Sequence, residues 1–181
     1  MPVPQPHRSA PDANCKHAVV STAWGWLGLL RTDRGLRKLT LPRPSQEDAL
    51  RLLSPGNSPL NADAFGDLPR RLQAYFLGQL ASFSDELDIA GTTPFQQAVW
   101  QALRTVSYGQ VRTYGWLAAH VGRPRAARAV GQAVGANPLP IVIPCHRIMA
   151  SGGGLGGWSG GDIGEKVRLL DMEKGGARGS G

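Results

Sequence analysis

The sequence predicts an α+β protein, with a small N-terminal α/β unit built on an antiparallel sheet and a mainly helical C-terminal unit. Three observations lead there. Strand-like apolar runs flank a turn cluster between residues 17 and 42. Apolar residues recur at helical spacing in several later segments. Hydrophobic residues make up 41% of the 181 positions, enough to close a core in one medium domain or two small ones.

The N-terminus carries Pro2, Pro4, Pro6 and Pro11, lacks the apolar centre of a signal peptide, and reads as a loose tail. Val19-Val20 and Trp24 to Leu30 read as strands. Thr32-Asp33-Arg34-Gly35 is a turn, and Leu36, Leu39 and Leu41 form the return strand. Ser45 caps a short helix through Leu53, with Glu47 and Asp48 in the first turn, where the helix dipole favours acid. Ser54 to Pro59 is a loop. Leu68, Leu72, Tyr75, Phe76 and Leu80 place an amphipathic helix over 68–80. No chemistry shows in this half. His7, Cys15 and His17 lack a further ligand pair at metal-binding spacing, so no metal is expected. A boundary near residues 85–92 divides the chain into 1–88 and 89–181.

Beyond it the pattern turns helical. Thr93 caps a helix with Pro94 at its first position, and Phe95, Val99, Ala102, Leu103 and Val106 form its apolar face. Ser107 to Gln110 ends it. Thr113 to Val121 is a short helix, Gly122 a turn, and Pro124 to Ala136 a second helix closed by Asn137-Pro138. Helix, glycine turn and helix make a helix-turn-helix pattern, although an ordinary helical hairpin fits the same residues. Arg125 and Arg128 lie on the second helix among Ala126, Ala127, Ala129, Gly131 and Ala133. Such small side chains let a backbone approach a groove while the arginines reach phosphates or bases.

Ile141-Val142-Ile143 reads as a short buried strand leading into Pro144-Cys145-His146-Arg147. A thiol beside an imidazole and a guanidinium is a candidate nucleophile, because thiolate is the reactive form and a nearby base or cation raises its fraction. The residues alone leave a buried structural cysteine equally open. Gly152 to Gly161 is a glycine-rich loop around Trp158, without the Lys-Ser/Thr ending of a phosphate loop. The last helix starts at Asp162, with Glu165 placed for a capping-box-like contact, and Gly175 stops it after Glu173.

The net charge of +7 is unevenly placed. No acidic residue lies between Asp88 and Asp162, a stretch holding Arg104, Arg112, Arg123, Arg125, Arg128 and Arg147. A basic face of this kind favours a polyanion, nucleic acid first. Two cysteines give no disulfide framework and fit a reducing cytoplasm. No apolar run approaches the ~20 residues of a membrane helix.

One set of residues ties these pieces together: Gly91-Thr92-Thr93-Pro94-Phe95-Gln96 with Val99-Trp100, Thr113-Tyr114, Arg128-Ala129-Val130-Gly131, and Ala136-Asn137-Pro138. It continues through Ile143-Pro144-Cys145-His146-Arg147 and Ser159-Gly160-Gly161 to Lys166, Leu169, Leu170 and Glu173. In order and spacing this half of the chain resembles the O6-alkylguanine-DNA alkyltransferases, the methylated-DNA–protein-cysteine methyltransferases. The first half resembles that family's variable N-terminal domain only in size and broad pattern.

The resemblance implies a mechanism. An O6-alkylguanine in double-stranded DNA is flipped from the stack, with O4-alkylthymine a further substrate. Arg128 fills the vacated space, and Tyr114 turns the nucleotide at its 3′ phosphate and donates a proton to the leaving guanine. Thr113, Arg125, Ala129, Gly131 and Gln132 complete the DNA-binding set, which works in the minor groove. Cys145 attacks the alkyl carbon, His146 removes the thiol proton through a water, and Glu173 orients His146. Asn137 ties the turn between recognition helix and active-site segment. Asn137, Arg147, Ile148, Trp158, Ser159 and Gly160 form the base pocket.

By the same resemblance the thioether product is stable, so the protein is expected to act once and be consumed, with no cofactor and no metal. Its partner is duplex DNA, with no membrane; a monomer is expected, in the cytoplasm on the nucleoid, and cooperative binding on DNA stays open. Trp158 stands where the family most often has Tyr, and the glycine run before it is longer. The spacing from Gly161 to Glu173 is one residue longer than the pattern, leaving Asp171 a rival for the orienting role. The alternative reading is a protein that binds or senses alkylated bases without transferring the group. A thiol hydrolase lacks any recognisable oxyanion motif here, and a regulator has little room for an effector domain.

Overall fold

A computed structural model describes residues 14–156 and 162–178. Strands β1 (Lys16–Thr22), β2 (Gly25–Thr32) and β3 (Gly35–Leu39) form an antiparallel meander in that order. Leu27 and Leu29 on β2 are fully buried, and Gly28 between them faces the other side of the sheet. There α1 (Gln46–Leu53) rests so closely that a Cβ on Gly28 would lie 3.0 Å from Leu53 Cβ. Ser45 caps α1 as expected, accepting from Asp48 N.

Helix α2 (Leu68–Phe76) packs against β1. It is shorter than the expected 68–80. Gly78, at φ 80°, reverses the chain; its N–H bonds Tyr75 O, and Gln79 N–H bonds Ala74 O. Leu80 therefore lies outside the helix and is exposed. Residues 86–88 return along β3, with Leu36 N–H on Glu86 O and Asp88 N–H on Leu36 O. This approach requires Gly35, at φ 137°, where a Cβ would stand 2.9 Å from Leu87 N.

Helix α3 (Pro94–Arg104) starts with a full capping box between Thr93 and Gln96. Its Val99, Trp100, Ala102 and Leu103 join a core that runs continuously from Leu27 and Tyr75 to Leu117, Ile143 and Leu169. Helices α4 (Tyr114–His120) and α5 (Ala127–Gly135) pack on α3 and on each other across Gly122, at φ 70°. Helix α5 begins three residues later than expected. Pro124 and Arg125 instead occupy a turn closed by Ala126 N–H on Arg123 O, where proline's fixed φ suits the second position.

Two further expectations fail locally. Ile141-Val142-Ile143 is buried but is a tight turn, not a strand: Ile141 has φ 75° and Ile143 N–H bonds Leu139 O. An isolated bridge joins Pro140 and Ile143. The short β element follows Cys145 instead, as β5 (Ile148–Met149) pairs in parallel with β4 (Arg112–Thr113). The last helix, α6 (Ile163–Arg178), runs past Gly175. The glycine that matters is Gly176, where a Cβ would collide with Gly78 O and the Tyr108 hydroxyl. Glu165 makes no capping-box contact; its carboxylate pairs with Arg43 at 3.5 Å.

Candidate active site

Cys145 opens a short 3-10 turn, Cys145–Arg147, immediately after the strained turn at Ile141. A β-branched residue at positive φ is unfavourable, so the surroundings must hold it. Asn137 does so from both ends. Its Nδ2 donates to Ile143 O at 2.8 Å, and its Oδ1 accepts from Leu139 N–H at 2.9 Å. The end of α5 is thereby tied to the residue two before the cysteine.

Cys145 lines a largely apolar cavity of about 610 Å³ with Tyr114, Arg128, Gly131, Gln132, Ala150 and Ser151. That volume lies within the range that binds small ligands. Cys145 is only 4% exposed, and burial pushes its thiol pKa up. A hydrogen bond with the Asn137 side chain and the charge of Lys166 act against burial.

Behind the cysteine sits a buried charged cluster. His146 is fully buried, with Nε2 2.8 Å from Glu173 Oε1. A carboxylate can only accept, so the ring proton belongs on Nε2 and Nδ1 carries the free lone pair. Among the described residues Nδ1 finds no hydrogen-bond partner. Burial pushes the His146 pKa down, so the ring is neutral near pH 7. Glu173 also accepts from Arg147 Nη2 at 2.8 Å and Nε at 2.9 Å, from Gly109 N–H at 3.0 Å, and from the Tyr75 hydroxyl at 2.6 Å. Burial works to raise the Glu173 pKa, but the bonds from His146 and Arg147 outweigh it and hold the carboxyl well below the usual range.

Glu173, not Asp171, therefore contacts His146, because Asp171 lies on the exposed side of α6. Arg147 is not where the sequence placed it. Its guanidinium turns to Glu173 and Val106 O, with no part in the cavity wall, and its charge is committed to that carboxylate instead of the thiol. Ile148 is likewise fully buried and off the cavity; Ala150 and Ser151 stand there instead. Trp158, Ser159 and Gly160 lie outside the described residues.

Two contributors escaped the sequence. Lys166 is fully buried, donating at 2.6 Å to both Ile148 O and Leu155 O. A signal existed: Lys166, Leu169, Leu170 and Glu173 occupy i, i+3, i+4 and i+7, one helix face. Tyr75 reaches the cluster from α2, and its only sequence mark is a hydroxyl on an otherwise apolar face.

On the outer side, Arg128 is exposed in the first turn of α5 and lines the cavity. A Cβ on Gly131 would meet nothing within 4 Å, so no internal contact demands glycine there. Gln132 is exposed beside it; Ala129 is exposed but off the cavity, and Arg125 is exposed on the preceding turn. Thr113 caps α4, accepting from Trp116 N–H at 3.0 Å. The Tyr114 ring abuts Gly156, where a Cβ would stand 2.7 Å away. Burial and the neighbouring Cys145 raise the Tyr114 pKa, keeping its proton in place.

Fold and site together present one cysteine, backed by a histidine–carboxylate pair, to a cavity beside α5, and similarity to known proteins identifies this part of the chain as a DNA-binding domain. The profile described as "6-O-methylguanine DNA methyltransferase, DNA binding domain" matches residues 94–175. The methylated-DNA–protein-cysteine methyltransferase of Mycobacterium leprae is 50% identical over 111 residues, 61% of this chain and 66% of its own length. That of Mycolicibacterium paratuberculosis is 47% identical over 63% of this chain and 68% of its own. Mycobacterium tuberculosis OGT, solved in complex with DNA, superposes with a TM-score of 0.75 at 39% identity, covering 89% of this chain and 94% of that one. The chain belongs to the methylated-DNA–protein-cysteine methyltransferase family.

Proposed function

We propose that this chain repairs duplex DNA by moving an alkyl group from O6 of guanine to Cys145, once per molecule. The observation that supports the assignment of residues is Cys145 lining the same cavity as Arg128, next in sequence to a buried His146 whose Nδ1 has no hydrogen-bond partner among the described residues. In the reaction the bond between alkyl carbon and O6 breaks as the bond from that carbon to Sγ forms. His146, through one water, takes the thiol proton at Nδ1; the resulting imidazolium is stabilised by Glu173. The departing guanine, left with the electron pair, is neutralised by a proton from Tyr114.

Arg128 occupies the stack after the nucleotide turns out, since its planar guanidinium can both stack and hydrogen-bond. Arg125, Thr113, Ala129, Gly131 and Gln132 meet the backbone in the minor groove, where a helix face without bulky side chains allows close approach. We assign these roles to residues 89–181 and a supporting role to residues 1–88. The protein acts as a monomer in the cytoplasm, on the nucleoid; among the described residues no helix is long and apolar enough to cross a membrane.

The test is an intact mass after mixing with an oligonucleotide duplex that holds one O6-methylguanine. A single added methyl group on the Cys145 peptide, absent in Cys145→Ala, is the expected result. A shifted duplex on a gel with no mass gain would identify a damage-binding protein instead.

A further inference from the structure

We infer that Tyr75 is a positioning residue for the transfer reaction, supplied by the N-terminal half, which holds the His146 ring in the orientation that leaves Nδ1 free. The inference rests on the reading of His146 as the base. The Tyr75 hydroxyl donates to Glu173 Oε1 at 2.6 Å, and its oxygen lies 3.3 Å from His146 Nε2. The same Oε1 receives Nε2–H at 2.8 Å, so hydroxyl, carboxylate and imidazole meet at one corner.

The directions of these bonds lock one another. A phenol that gives its proton to the carboxylate turns lone pairs toward Nε2. Nε2 then faces two oxygen acceptors and must carry the hydrogen. The opposite tautomer would set a bare nitrogen against a carboxylate and a phenol oxygen, while putting a proton on Nδ1, where the thiol proton has to arrive.

The phenol itself is held in place. Tyr75 is fully buried, with Phe76, Phe83 and Tyr108 edge-on around its ring at centroid distances of 5.2, 5.8 and 6.0 Å. Burial and the Glu173 charge both raise its pKa, so the proton it donates stays. Nothing else on α2 bonds to the cluster among the described residues. Among the described residues of the N-terminal half, the Tyr75 hydroxyl is the group that hydrogen-bonds to Glu173.

Tyr75→Phe removes that oxygen and keeps the ring packing. Single-turnover transfer from free O6-benzylguanine at pH 7.5 is expected to slow about tenfold, with duplex affinity within about twofold of wild type. In a His146→Gln background the same substitution should change the rate by less than about twofold, because the group it acts through is gone. Equal slowing in both backgrounds would reduce Tyr75 to a packing residue and overturn the proposal. So would an unchanged rate in Tyr75→Phe when His146→Gln alone is slow. Full rate in His146→Gln would instead remove the base assignment, and Tyr75's role with it.

If a variant does not fold, the wild-type protein carries the test. With labelled tyrosine Cζ and histidine ring nitrogens, the Tyr75 signal is expected to move in step with the His146 titration. A Tyr75 signal that stays fixed through it would overturn the proposal.

Discussion

Glu173→Gln tests the buried cluster most directly. The carboxylate accepts from His146, Tyr75, Gly109 and the Arg147 fork at 2.6 to 3.0 Å, in a site where Glu173 is 1% exposed. An amide keeps one acceptor and turns the other into a donor. One orientation sets its NH₂ against Gly109 N–H and Arg147 Nε; the other sets it against His146, Tyr75 and Arg147 Nη2. Each buried group left unsatisfied costs about 1–3 kcal/mol, and removing one partner of a buried ion pair costs about 3–5 kcal/mol in all. We take about 3–5 kcal/mol, which in a chain of this size lowers Tm by roughly 6–20 °C.

The assay is thermal unfolding by circular dichroism, run across pH. Glu173 has a depressed pKa in the folded state, so its contribution is complete above the unfolded value and is lost as pH falls toward the folded one. With an unfolded value near 4.3, the gap between wild type and variant should narrow by about 1.4 kcal/mol for each pH unit below that point. A Tm loss under about 3 °C at pH 7.5, or a gap unchanged between pH 6 and pH 3.3, would refute the reasoning that an ionised Glu173 anchors the cluster.

Other variants probe separate parts of the site. Arg128→Ala is expected to slow repair in duplex by at least about tenfold while reaction with free O6-benzylguanine changes by less than about twofold; single-turnover rates on both substrates check this, and equal losses would remove its role in base flipping. Lys166→Met keeps the buried stem but removes the cation that lowers the thiol pKa, so reaction of Cys145 with iodoacetamide should need higher pH, the profile moving up by about half a unit or more. Asn137→Ala frees both ends of the turn at Ile141, and loss of two partly buried hydrogen bonds should cost about 1–3 kcal/mol in denaturant unfolding, with transfer slowed as well.

Much of the protein was legible along the chain. Thr93-Pro94 marks the start of α3, because capping chemistry is local. The apolar run from Trp24 to Leu30 marks β2, because strand composition is local too. The run from Asn137 to Arg147 carries the nucleophile, its neighbouring imidazole and the amide that ties them down, within 11 residues. What failed there failed over distances of a few residues. Gly175 looked like a stop, but α6 runs past it, and Gly176 serves the approach of α6 to Gly78 and Tyr108. Pro124 looked helical, but the turn before α5 suits proline better.

By itself the sequence determined which residue types are available and where chemistry can occur: one thiol beside an imidazole, arginines interleaved with small residues, and no acid in between. Only the tertiary structure decided which charge answers which. Arg147 adjoins Cys145 by two positions yet turns its guanidinium to Glu173, while Lys166, distant in sequence, is the cation acting on the thiol. Tyr75 reaches the same carboxylate across 98 positions. The reason is that a buried charge or hydroxyl must find a partner in three dimensions, and helix packing sets which partners come within about 3 Å.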